Sequence, residues 1–120
     1  MDVHDLIFQG ADYHYKGQLD EAVAKFQAAV KLDSKNEYAH NQLGILYAKK
    51  ERFNEAFGEF QRVVNIDGRN TYALLWLGIL SLKQGDLDQG FEKFHKIIEI
   101  DPSNADAYYF VGAMRMPTIS

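Results

Sequence analysis

The chain has 120 residues, enough for one compact domain, and its composition of 47% hydrophobic and 25% charged residues is that of an ordinary globular protein. Its formal net charge of -4 offers no basic surplus for nucleic acid or an anionic membrane surface. The lack of cysteine excludes disulfides, thiolate metal sites and a cysteine nucleophile, and no apolar run approaches the ~20 residues of a membrane span. The segment from Met1 to Ile7 contains no Lys or Arg and does not look like a secretory signal, so we expect a cytoplasmic protein.

A period of 34 residues organises the chain. Such self-similarity is typical of proteins built from stacked structural repeats. The period divides the chain into repeats at 3–36, 37–70 and 71–104 and a terminal helix at about 105–116, which we interpret as one domain over residues 1–120. Four residue types recur at this spacing. They are glycine (Gly10, Gly44, Gly78 and Gly112), phenylalanine (Phe26, Phe60 and Phe94), aspartate (Asp33, Asp67 and Asp101) and asparagine (Asn36, Asn70 and Asn104).

Each repeat is predicted to form two amphipathic helices, A and B. In the second repeat, helix A is expected from about Glu37 to Lys50 and helix B from about Asn54 to Ile66, because apolar residues recur there at helical spacing. The recurring asparagine before helix A is a favourable N-cap, since its side chain can accept a hydrogen bond from an unpaired backbone N–H.

Two further features predict how helices A and B meet. The recurring glycine of helix A lets the helices approach closely, and the recurring phenylalanine of helix B fills the space beside that contact. The turn between them carries Gly17 in the first repeat and Gly85 in the third, where glycine adopts positive φ freely. Glu51 occupies this place in the second repeat, so we expect a less relaxed turn there.

The second repeat reads His40, Leu43-Gly44, Tyr47, Ala56, Phe60 and Gly68 at the signature places. This pattern resembles the tetratricopeptide repeat family from Val3 to about Met116. Gln9, Ser81, Gly68 and Ser34 depart from it and weaken single contacts. The resemblance implies an all-α fold: a right-handed α-solenoid of three helix–turn–helix units plus one C-terminal helix, with the A helices forming a concave wall.

The same resemblance implies which residues form a peptide-binding groove. Phe8, Trp76 and Phe110 either face this groove or pack between neighbouring A helices. The expected groove residues, by helix, are Ile7, Ala11 and Tyr15, then Tyr38, Asn41, Gln42, Ile45 and Lys49, then Tyr72, Leu75, Trp76, Ile79 and Lys83, and Tyr109 in the terminal helix.

The apolar character of these residues predicts the ligand. An exposed apolar patch usually marks an interaction site, and aromatic side chains dominate binding energy there. Family members that hold the C-terminal carboxylate of heat-shock proteins need Lys, Asn and Arg at places that hold no cation here: Ile7, Ala11, Gln42, Tyr72 and Trp76. We therefore expect an apolar or amphipathic segment of another protein as the partner.

We expect no enzymatic activity, cofactor or metal site. The four histidines lack the spacing of a metal pair on one helix face, and no phosphate-binding loop or nucleophile elbow is present. His40 takes the aromatic place of the signature and is predicted to be a packed core residue. The charged residues of the B helices, Glu59 among them, read as a solvated outer face.

The terminal helix leaves alternatives open. It is most simply a cap on the last repeat, since terminal repeats are atypical. Yet Tyr108 and Val111 lie on the side where a further helix B would pack. The chain is accordingly interpreted as a protein-binding scaffold, with a self-associating assembly module or an excised piece of a longer repeat protein as alternatives.

Overall fold

A computed structural model of the chain describes residues 1–115. Over that range it contains seven α-helices and no strand, which confirms the predicted all-α class. Met116 and the break predicted at Pro117 lie outside the described residues. The helices are α1 (Val3–Tyr15), α2 (Leu19–Leu32), α3 (Glu37–Lys49), α4 (Phe53–Ile66), α5 (Thr71–Lys83), α6 (Leu87–Ile100) and α7 (Ala105–Arg115).

The helices group into two compact units. Unit 1 spans Met1–Ile66 and holds α1 to α4, and unit 2 begins at Asp67 and holds α5 to α7. In unit 1, α1 packs on α2, α2 on α3, and α3 on α4. In unit 2, α5 packs on α6 and α6 on α7. Helices α1, α3 and α5 are the predicted A helices, and α2, α4 and α6 are the predicted B helices. Helix α7 is the predicted terminal helix, which takes the place of a further helix A.

The A helices begin where the sequence predicts. The side chains of Asn36, Asn70 and Asn104 each accept a hydrogen bond of 2.9–3.0 Å from the backbone amide three residues later. Helix α1 starts with a capping box, in which Asp2 and Asp5 accept from each other's backbone amides. These bonds satisfy donors that a helix N-terminus leaves unpaired, so each start is fixed locally.

The recurring glycine and phenylalanine form the centre of each helical hairpin. A Cβ atom at Gly44 would lie 2.6 Å from the ring of Phe60, and one at Gly78 would lie 2.5 Å from the ring of Phe94. Both phenylalanines are fully buried. Because real Cβ contacts are not this short, only glycine lets the ring occupy its place, as the sequence predicts.

The three A–B turns share one backbone conformation. Gly17 and Gly85 have φ of 77° and 79°, and Glu51 has φ of 60°. A residue with a side chain is disfavoured in this left-handed region by about 1–2 kcal/mol. The expected strain at Glu51 is therefore present, at the one turn of the three that lacks glycine.

Candidate functional site

In unit 1 the predicted groove residues lie on α1 and α3 and remain accessible. Tyr15 is 92% exposed and Tyr38 is 49% exposed. Lys49 is also exposed, and the others are half-buried. We call this set the unit 1 A-helix surface: Ile7, Ala11, Tyr15, Tyr38, Asn41, Gln42, Ile45 and Lys49.

Part of this surface is concave. An open depression of about 370 Å³ is lined by residues of α1 and α3. One of these residues is His14, which directly precedes Tyr15 in the chain. The ring of Tyr38 also lies edge-on to buried Phe26, with 6.3 Å between the ring centroids, which holds one wall in position. The structure thus brings together Ala11, His14, Tyr15, Tyr38, Gln42 and Lys49, whereas Ile7, Asn41 and Ile45 lie on the same helices outside the lining.

The depression carries one cationic group and no carboxylate among its lining residues. The Lys49 Nζ lies 2.8 Å from His14 Nε2 and donates to it. Burial lowers the pKa of His14, the positive charge of Lys49 lowers it further, and a hydrogen bond with Gln42 opposes both effects. The imidazole is therefore neutral near pH 7 and accepts at Nε2, which leaves the ammonium of Lys49 as the local charge.

Asn41 has an unusual environment within this surface. Its Oδ1 atom is buried and has no hydrogen-bond partner. An unsatisfied buried acceptor costs roughly 1–3 kcal/mol, so the fold does not gain stability from this amide. Such a residue is a candidate for a role other than packing.

In unit 2 the predicted groove residues lie on α5 and α7. Tyr72 is 48% exposed and Tyr109 is 70% exposed. Lys83 is also exposed, and the aliphatic and indole side chains are half-buried. We call this set the unit 2 A-helix surface: Tyr72, Leu75, Trp76, Ile79, Lys83 and Tyr109.

The sequence leaves two placements open for three aromatic residues, in the groove or between A helices, and their exposures differ. Phe8 is 74% exposed, so it faces outward and not into a core. Phe110 is half-buried, because its ring stacks on buried Phe94 with 5.0 Å between centroids. Trp76 is likewise half-buried.

One interaction of unit 1 was not predicted. His40 is buried, as expected, but Glu59 is buried too, so its assignment to a solvated outer face was wrong. His40 Nδ1 lies 2.8 Å from Glu59 Oε1, its Nε2 lies 2.8 Å from the carbonyl oxygen of Ser34, and Arg62 donates to Glu59 Oε2. A sequence signal existed: Glu59 lies three residues after buried Ala56, on the apolar side of α4.

Residues 1–115 offer no metal site or membrane-spanning helix beside these surfaces. No group of three or more His, Asp or Glu side chains in that range is arranged to hold a metal ion. None of the described helices combines the length and apolar character that a bilayer crossing requires.

Comparison with known proteins bears on both units. A family model described as a TPR repeat matches residues 10–51, and one described as a tetratricopeptide repeat matches residues 72–104. The two ranges together cover more than half of the chain. Searched against curated protein sequences, the chain has no match.

Solved structures show the same fold. The first TPR domain of Spaghetti (RPAP3), bound to the HSP90 peptide SRMEEVD, is 18% identical with a TM-score of 0.86, over 94% of this chain and 90% of that chain. The Arabidopsis OM64 TPR domain is 18% identical with a TM-score of 0.85, over 94% and 93%. MamA is 25% identical with a TM-score of 0.86, over 93% of this chain and 66% of that chain.

Proposed function

Because the chain belongs to the tetratricopeptide repeat family, we propose that it is a non-catalytic scaffold whose A-helix surfaces bind an apolar or amphipathic segment of another protein. The observation that carries this proposal is the accessibility of the predicted residues. None of the residues of the unit 1 and unit 2 A-helix surfaces is buried, although most of them are apolar or aromatic. Apolar surface left in contact with water favours association with a partner that covers it.

The depression of unit 1 suggests how a segment would bind. Tyr15 and Tyr38 offer large rings with polar hydroxyl ends, a combination that is frequent at binding hot spots. Ala11 lines the same depression, and its side chain is too short to fill it. Gln42 can pair with the backbone of a bound segment, and Lys49 can pair with an acidic side chain at its edge.

The Spaghetti domain provides a useful contrast. It binds an HSP90 peptide that ends in two glutamates, a valine and an aspartate. The places that would supply a two-carboxylate clamp in this chain include Ile7, Ala11, Tyr72 and Trp76, none of which is cationic. We therefore propose that an apolar or amphipathic segment is preferred to such an acidic C-terminus.

Selection from a random twelve-residue peptide library on the full chain tests this preference. We expect selected peptides to carry several aromatic or aliphatic residues and to bind more tightly than SRMEEVD when measured by fluorescence anisotropy. Tyr38→Ala should weaken their binding at least fivefold, and the Trp76→Ala, Ile79→Ala double variant tests unit 2 in the same way.

Leu32→Ala is the matched control, because Leu32 is a 61% exposed apolar residue of a B helix. It should leave peptide affinity unchanged. Selection of acidic tails alone would contradict the proposed preference. If Leu32→Ala weakens binding as much as Tyr38→Ala does, the A-helix surfaces are not the binding site.

The terminal helix supports self-association as a second candidate function. Helix α7 packs on α6, yet Tyr108 is 51% exposed and Tyr109 is 70% exposed. Val111, expected on the same open side, is instead buried. Light scattering at micromolar concentration should then show a mass above the monomer that Tyr108→Ser reduces, and a single monomer mass would remove this candidate.

A further inference from the structure

A second depression of unit 1, of about 540 Å³, lies between the B helices α2 and α4. It shares no lining residue with the depression of the A helices. It stays open because Ala24 and Ala28, one turn apart on α2, have side chains too short to fill it. Its floor is formed by the buried side chains of Leu43 and Tyr47 from α3.

The charges at this depression are predominantly positive. Lys31 of α2 and Arg62 of α4 both line it and are exposed. Glu59, its one acidic lining residue, is already engaged, because one oxygen pairs with His40 and the other accepts from Arg62. Within residues 1–115, Lys31 has no carboxylate partner. The depression therefore offers cationic donors beside an apolar floor.

A polar pair completes the lining. Gln27 Nε2 donates to the hydroxyl oxygen of Tyr47 at 2.8 Å, which fixes the orientation of both side chains. The amide oxygen of Gln27, which is an exposed residue, is left to accept a further hydrogen bond. It lies on the same wall as Lys31, one turn of α2 away.

We propose that this depression binds the C-terminal residue of a partner polypeptide when that residue is aliphatic. The terminal carboxylate pairs with Lys31 and Arg62, whose planar guanidinium suits a carboxylate. The aliphatic side chain packs against Ala24 and Ala28, the accessible apolar lining residues of α2, and Gln27 accepts the N–H of the terminal residue. The charge balance argues for an anion, and the accessible alanines of the wall argue for an aliphatic body, so a free C-terminus supplies both in one residue.

The probe is the peptide acetyl-Gly-Ala-Leu with a free carboxylate, compared with the same peptide capped as an amide. Both are titrated into the ¹⁵N-labelled full chain at low salt. We expect the carboxylate form to shift backbone resonances of α2 and α4, with an affinity at least fivefold higher than that of the amide. Equal affinities, or shifts confined to α1 and α3, would overturn the proposal.

Variants separate charge from shape. Lys31→Gln should weaken binding of the free acid at least threefold, and Lys35→Gln, at an exposed lysine outside the lining, should not change it. Ala28→Leu fills the depression while it leaves every charge in place, and it should abolish binding. Retained affinity in Lys31→Gln and Ala28→Leu would contradict the assignment. Because the shifts are read separately on α2/α4 and α1/α3, this outcome is independent of the peptide selection on the A-helix surfaces.

Discussion

His40 and Glu59 form a buried pair in unit 1, with Nδ1 and Oε1 2.8 Å apart. The other ring nitrogen of His40 lies 2.8 Å from the carbonyl oxygen of Ser34. Both ring nitrogens thus face acceptors, and only the protonated imidazole can donate to both. The hydrogen bond to Glu59 raises the pKa of His40, the carbonyl of Ser34 adds to this, and burial and the charge of Arg62 oppose it.

The stability of the chain should therefore depend on pH through His40. Its pKa is higher in the folded chain than the usual ~6.5 of an unfolded one, so protonation stabilises the folded state. This contribution is complete below pH ~6.5 and is lost as the pH rises through the higher, folded-state pKa. Urea unfolding between pH 6 and 8.5 should show the decrease, and His40→Gln should remove it.

His14 would add the opposite pH dependence to that measurement, because its folded-state pKa is lowered. Its contribution to stability is present above pH ~6.5 and is lost as the pH falls through the lowered value. The experiment is accordingly made in a His14→Gln background. A pH profile that stays the same after His40→Gln would show that His40 is not the source of the pH dependence.

The contact between Gly44 and Phe60 predicts opposite effects at two glycines of unit 1. Gly44→Ala places a Cβ against the ring of Phe60 and should destabilise the chain by about 1–3 kcal/mol, as overpacking does. Gly58→Ala, in the interior of α4, has no heavy atom within 4 Å of the new Cβ, so it should stabilise the helix by about 0.5–1 kcal/mol. Thermal melting of both variants measures the difference.

Truncation of the Phe60 ring tests the packing of the same core independently. Phe60→Ala should cost about 3–5 kcal/mol through lost transfer energy and the cavity left behind. Because Phe60 is fully buried, an unchanged melting curve would contradict the packing of α3 on α4 described here.

Glu51 offers a stabilising substitution. Its φ of 60° is unfavourable for a residue with a side chain, so Glu51→Gly should raise the unfolding free energy by up to about 1 kcal/mol, less the entropy that glycine adds to the unfolded state. Gly17→Ala, at φ of 77° in the equivalent turn, should lower it by a similar amount. Chemical denaturation of both variants tests the turn, and equal stabilities would argue against strain at Glu51.

Asn41 should show a trade-off between stability and binding. Because its Oδ1 is buried without a partner, Asn41→Leu should leave the melting temperature unchanged or raise it. If Asn41 contributes to the proposed site, the same variant should weaken the peptides selected on the full chain. A variant that melts well below the wild type would indicate that this amide has a structural partner in solution.

The repeat was predictable because its determinants are local. Asn36 caps the helix that follows it, and Gly44 and Phe60 lie in adjacent helices of one hairpin. The cap and the contact therefore recur at a fixed spacing in the sequence. Glu59 was not predictable with the same rules, since a carboxylate is normally placed on the solvated face. Its spacing from Ala56 indicates the apolar side of α4, but its burial depends on His40 in the neighbouring helix, and that partner cannot be read from the periodicity of α4.

The two depressions of unit 1 also differ in how far the sequence predicts them. Tyr15 and Tyr38 could be assigned to the A-helix surface from what the family resemblance implies, and their role in binding stays a prediction. The depression between α2 and α4 depends on the short side chains of Ala24 and Ala28, which in the sequence look like ordinary helix formers. Its depth follows from how the helices pack, which their own periodicity does not encode.

The order of packing has a kinetic consequence. The main contacts within each unit join helices that follow one another in the chain, as α1 with α2 and α5 with α6. Such contacts close only short loops, so little chain entropy is lost before they form. Chains dominated by local contacts fold within microseconds to milliseconds. We expect refolding after dilution from denaturant to be correspondingly fast, with a single helical hairpin sufficient to start it.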